Sequence, residues 1–144
     1  MRLHLRRAAR AALLLSTASL LTGCPKDKPD LSEMTHHIVR KRSFWAKEIA
    51  RPLDERIYEA PPELIDYLDL DNRINSFGTT PERVPVPDDL RTEIAHSLAN
   101  LPKPVRQRLS QTLIGVFAVK HLGSSAYTES VRNDKGYPAG AVVA

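Results

Sequence analysis

The chain has 144 residues, with 21 Lys+Arg against 17 Asp+Glu and a formal net charge of +4. Arg2, Arg6, Arg7 and Arg10 all fall within residues 1–10, which hold no acid, so the other 17 cations are matched by the 17 acids. A charge-neutral body excludes the electrostatic footprint of a general nucleic-acid binder, and no nucleic-acid partner is expected. A single cysteine excludes an internal disulfide.

Residues 1–23 have the parts of a secretory signal: the four arginines, an apolar run over residues 11–21, then the small residues Thr22 and Gly23 before Cys24. The apolar run is too short to cross a hydrocarbon layer of about 30 Å as a helix. Arg6-Arg7 suggests twin-arginine export, but Leu5, Ala8 and Ala9 lack the rest of that signal, so general secretion is expected. Leu21-Thr22-Gly23-Cys24 resembles the lipobox of bacterial lipoproteins. The resemblance implies cleavage between Gly23 and Cys24 and two or three acyl chains on Cys24. Two or more chains anchor a protein stably, at about 0.8 kcal/mol per buried CH₂. It also implies a bacterial membrane location, lipid-anchored and facing the periplasm or the surface. Pro25, where some lipoproteins carry a retaining Asp, favours the outer over the inner membrane. With Cys24 taken by lipid, a cysteine-based metal site is excluded, and no cofactor is expected.

The resemblance covers residues 1–24 alone. The 144 residues less the 23 of the signal leave 121, the size of one domain. Residues 24–30 form the lipidated Cys24 and a polar, proline-bearing tether whose last six residues reach at most ~20 Å. Residues 31–144 are expected to form one mainly helical domain with a C-terminal hairpin.

Asp30-Leu31-Ser32-Glu33 predicts a capped helix start, and the periodicity predicts one amphipathic helix to about Ala50. On it Leu31, Met34, Ile38, Trp45 and Ile49 fall within about 60° of one another. Arg40, Lys47 and Arg51 gather opposite, as a basic stripe suited to anionic headgroups or an acidic partner. Pro52 predicts a short helix over residues 53–59, and Pro61-Pro62 another over residues 63–68. Gly78, Pro81, Pro85 and Pro87 predict a loop over residues 76–87. Asp88 begins a helix to about Asn100, with Leu90, Ile94, Leu98 and Leu101 as its apolar stripe. Pro104 opens the next helix, with Val105, Leu109 and Leu113 on one face, which predicts a helical hairpin.

Residues 113–122 fit a helix stopped by Gly123 or a buried strand. Ile114, Val116, Phe117 and Val119 favour the strand, and Gly115 weakens the helix. Asn133-Asp134-Lys135-Gly136 predicts a type I turn with a left-handed Gly between two strands, hence a β-hairpin. The fold class is therefore α+β: a bundle of short helices, then a small antiparallel hairpin or sheet. The sequence stops at Ala144 inside an apolar run, which fits either a last strand ending flush or the front part of a longer polypeptide.

No catalytic motif stands out. Glu93-x-x-His96 is one copy where a di-iron bundle needs two with further carboxylates, so a surface pair is expected. His-Glu-x-x-His does not occur. His36 and His37 point about 100° apart on a helix. His121 with Ser124 and Ser125 lacks the nucleophile elbow and an orienting acid, and the Gly123-Ser124-Ser125 turn reads as a plain connection rather than an anion site. Asp66, Asp69 and Asp71 lack the calcium-loop pattern and read as a solvated helix end. The expected function is a lipid-anchored envelope protein, a non-catalytic accessory or interaction module, bound to membrane lipid through Cys24 and open to an envelope-protein partner. The alternative is the anchoring part of a larger envelope hydrolase, such as a zinc peptidase, with its catalytic residues beyond residue 144.

Overall fold

The computed structural model describes residues 31–144. The signal segment, the Gly23–Cys24 cleavage and lipidation position, and the tether lie outside the described residues. The described chain is mixed α+β, with helices flanking a five-stranded sheet that contains an antiparallel hairpin.

The long first helix does not form. Residues 31–50 break into α1 (Leu31–His36), the 3-10 turns Ile38–Arg40 and Arg42–Trp45, and α2 (Ala46–Ile49). The breaks fall at His37, with ψ 142°, and Lys41, with ψ 125°, both extended. On an unbroken helix Val39 and Trp45 would point about 120° apart. With the breaks both enter the core, at 0% and 1% exposure. Tertiary burial thus overrides a helical periodicity that was real in the sequence.

Residues 53–59 also depart from helix. A 3-10 turn, Leu53–Glu55, leads into β1 (Ile57–Glu59), which lies parallel to β3 (Leu113–Lys120). Ile57 and Tyr58 are β-favouring, and a neighbouring strand is what that preference needs to act. Helix α3 (Pro62–Asn75) runs past its expected end at residue 68. Leu64, Tyr67 and Leu68 bury its seam, and Leu70 and Asn72 carry the burial further. It stops where Ser76 turns left-handed at φ 58° and the Phe77 N–H donates to the Asn72 carbonyl at 3.0 Å. The proline-rich loop holds one regular piece, β2 (Glu82–Arg83), antiparallel to β3.

Helices α4 (Asp88–Ala99) and α5 (Lys103–Thr112) form where expected. They find their main partners in the Leu53–Glu55 turn, β1 and β5 rather than in each other, and neither holds a fully buried residue.

Residues 113–120 take the strand reading. A bulge between Leu113 and Gly115 shifts the register, so Ile114 and Phe117 both reach the same core. β4 (Thr128–Arg132) and β5 (Pro138–Val143) make the predicted hairpin. Its turn closes with the Gly136 N–H donating to the Asn133 carbonyl at 2.9 Å and Gly136 at φ 81°. β5 then inserts parallel to β3, giving the order β1-β3-β5-β4. The core gathers Val39 and Trp45 from the N-terminal segment, Leu64, Tyr67 and Leu68 from α3, and Ile114, Phe117, Val131 and Val142 from the sheet.

Candidate functional site

Along β4 side chains alternate, so Glu129 shares its face with Val131 and, across the hairpin, with Val142. That face is the core, and Glu129 reaches its edge with a side chain only 12% exposed. A buried carboxylate needs partners. Glu129 Oε2 accepts from the Tyr67 hydroxyl of α3 at 2.7 Å and from the Tyr127 hydroxyl at 3.1 Å. Arg40 Nε sits 3.2 Å from Oε1. That contact is Coulombic in character, because the buried Nε makes no aligned hydrogen bond among the described residues. Ser130 Oγ lies 3.5 Å from the same oxygen. Three separate pieces of chain therefore meet at one carboxylate: the N-terminal segment, α3 and β4.

The surroundings shift the titration of several neighbouring groups. Burial, then the hydrogen bond to Glu129, pushes the Tyr67 hydroxyl well above its usual range. Burial and the neighbouring Tyr67 do the same to Tyr127. Both shifts favour the protonated phenols, which donate to Glu129. His37 stacks on Tyr67 with ring centroids 5.2 Å apart, and burial holds its pKa below the usual value against the pull of Asp66 and Glu63. Burial raises the Asp71 carboxyl, with Glu129 adding to the rise and Asn75 opposing it.

A second buried polar group lies at the other end of the sheet, before β1. Arg56 is 5% exposed, and among the described residues its hydrogen bonds include no carboxylate. Its guanidinium donates to the carbonyls of Arg51 at 2.8 Å, Ile49 at 2.7 Å, Ser110 at 3.1 Å and Leu113 at 2.5 Å. Arg42 similarly donates to the Ala139 and Gln111 carbonyls. These arginines tie the ends of α2 and α5 to the start of β3 and to β5.

The residues singled out in the sequence are scattered. Without a continuous helix, Arg40, Lys47 and Arg51 do not line one helix face. Arg40 turns inward to Glu129, Lys47 is exposed, and Arg51 pairs at the surface with Glu55 at 3.5 Å. Glu93 and His96 are exposed, with His96 beside Asn100 at 3.0 Å. His36 is exposed while His37 is half-buried. Asp69 pairs with Arg73 at 3.1 Å, Asp71 accepts from Asn75 at 3.1 Å, and Asp66 is exposed. Among the described residues no group of three His, Cys, Asp or Glu is placed to hold a metal ion. His121, at φ 57°, lines an open cleft with Ser124, Ser125, Leu90 and Pro85, and Ser124 Oγ donates to the Ala126 carbonyl at 2.9 Å. No hydrogen bond among the described residues joins His121 to either serine.

Sequence reasoning missed Glu129, Tyr67, Tyr127 and Arg56. The one available signal was a lone Glu at an inward position of a strand whose next inward residue is Val131. Comparison with protein-family models, curated protein sequences and solved structures finds no match for this chain.

Proposed function

We propose that the protein is a lipid-anchored component of the bacterial cell envelope, held by acylated Cys24, and works there as a non-catalytic accessory or interaction module. One observation carries this reading: Leu21-Thr22-Gly23-Cys24 follows a basic, then apolar, leader. The described structure is compatible with it in two respects. Its first element begins at Leu31, seven positions after Cys24, so the folded part would stand within about 20 Å of the lipid. Among the described residues no helix is long and apolar enough to cross a membrane, so attachment by lipid has no competing span there.

The test is Cys24→Ser in the native host, followed by membrane fractionation and intact mass. The expected result is unprocessed precursor without acyl chains, against wild-type protein whose mass equals a chain starting at Cys24 plus lipid. Cys24→Ser protein that is still cut after Gly23 and still sediments with membranes would overturn the reading.

A further inference from the structure

The loop before α4 builds a wall poor in hydrogen-bond donors. Pro85 and Pro87 have no N–H, and Val84 and Leu90 flank them with apolar side chains. Between that wall and the second half of β3 lies an open cleft of about 640 Å³. Phe117, Val119 and Leu122 line it together with Pro85 and Leu90, and Leu90 remains 41% exposed. A cleft of that volume with a mainly apolar lining is of the kind that takes small ligands.

The polar side chains of the cleft carry one sign. Lys120, His121, Ser124 and Ser125 line it, and among the described residues no Asp or Glu side chain does. Between Glu93 and Glu129 the sequence holds no acid, while it carries Lys103, Arg106, Arg108 and Lys120. Ser124 is engaged with the Ala126 carbonyl. The Lys120 ammonium, the His121 ring and the Ser125 hydroxyl make no hydrogen bond or ion pair among the described residues. Each of the three can donate. Glu82 stands across the ladder from Lys120, yet it forms no ion pair with it and does not line the cleft.

The turn that carries these donors is held in shape. His121 sits at φ 57°, a left-handed conformation uncommon outside glycine, and Gly123 sits at φ 82°. A Cβ on Gly123 would fall 2.9 Å from the Phe77 side chain, so the turn backbone packs directly on the residue that follows the α3 cap.

We propose that this cleft binds a single-chain amphiphile, with its alkyl chain along Pro85, Leu90, Phe117 and Leu122 and its anionic head on Lys120, His121 and Ser125. Charge complementarity names the head. An acid-free set of donors around an unpaired cation selects a carboxylate or phosphate over a neutral or cationic group. The donor-poor wall names the tail, because a polar chain would lose its water partners there without replacement. The inference stands on the cleft alone and does not depend on the lipid anchor.

The experiment uses the protein purified from its host in phosphatidylcholine nanodiscs. The probe is a decanoate bearing a photoactivatable diazirine, with the matching decanol as control, and labelled peptides are mapped by mass spectrometry. The expected result is saturable decanoate labelling of residues 84–90 and 117–125, with the alcohol bound about fivefold more weakly for want of an exposed charge pair. Lys120→Gln should bring the acid down to the level of the alcohol. Glu82→Gln should strengthen the acid and leave the alcohol unchanged, since it removes a neighbouring negative charge. Leu90→Asp should weaken both probes, and as an exposed position it leaves the core intact. Competition by lysophosphatidylglycerol distinguishes the sources: stronger displacement than by free decanoate assigns a membrane lipid, and weaker displacement assigns a free fatty acid. Equal labelling by acid and alcohol, labelling that does not saturate or falls outside the cleft, or acid labelling unchanged in Lys120→Gln overturns the proposal.

Discussion

Residues 31–56 and residues 113–143 bury comparable hydrophobic anchors by opposite means. In the front region the longest element is the six-residue α1, and the rest are 3-10 turns, a four-residue α2 and coil. Its shape is held by side chains bonded to distant backbone: Arg42 to Ala139, 97 positions away, and Arg56 to Ser110 and Leu113. In the back region the eight-residue β3, the five-residue β4 and the six-residue β5 are held by ladders and a local turn. The difference teaches where folding information sits. The front stores it in a few long-range polar bonds, and the back stores it in strand ladders, one of them closed by a local turn.

The sharpest way to break the comparison is at Arg56. Its four carbonyl partners include Ile49 and Ser110, at or near the last turns of α2 and α5, where a cation also meets the negative end of a helix dipole. Arg56→Met keeps much of the aliphatic stem and removes every donor. Hydrogen bonds from a charged group are worth about 1.5 to 3 kcal/mol each, and their losses do not add fully. The expected cost is about 4 kcal/mol, read from urea unfolding followed by circular dichroism. A loss below about 1 kcal/mol would mean that water replaces the guanidinium at those carbonyls, and the front region would need another explanation.

The same contrast explains what could be read from the sequence. The hairpin was legible because Asn133 and Gly136 are turn residues acting within a few positions. The Asn133 side chain accepts from the Lys135 and Tyr137 N–H groups, both at 3.0 Å. β3 was legible because Ile114, Val116, Phe117 and Val119 favour strands and Gly115 weakens helices. The first helix was misread for a physical reason. Leu31, Met34, Ile38, Trp45 and Ile49 do keep helical spacing, but Val39 and Trp45 gain more from reaching the core than a continuous ladder returns. β1 was misread because its partner is more than fifty positions away at Val116 to Ala118. The candidate site was nearly invisible. Arg40 was noticed as a surface charge, and nothing local to it points to Glu129. Arg56 looks like any other arginine until the ends of α2 and α5 are brought to it.

A local substitution in the back region sharpens the comparison with a smaller effect. Gly136 sits at φ 81°, and a Cβ there would meet nothing within 4 Å. The cost of Gly136→Ala is therefore purely conformational, about 1 kcal/mol for placing an L-residue in the left-handed region. Differential exchange should place that loss in the hairpin amides and leave the segment around Trp45 unchanged. A loss spread evenly over both regions would show that front and back unfold as one unit.

Arg51→Ala should have the smallest effect, and it separates charge from backbone at one position. The Arg51 side chain pairs with Glu55 at 3.5 Å, with the two side chains 61% and 55% exposed. Exposed pairs of that kind contribute from nothing to about 1 kcal/mol, so a change of no more than about 0.5 kcal/mol is expected. The Arg51 carbonyl, which accepts from Arg56 Nε at 2.8 Å, is kept by alanine. Position 51 thus supports the front region through its main chain and not through its charge. If urea unfolding finds Arg51→Ala as costly as Arg56→Met, surface charge rather than the buried guanidinium organises residues 31–56, and the contrast with the back region fails.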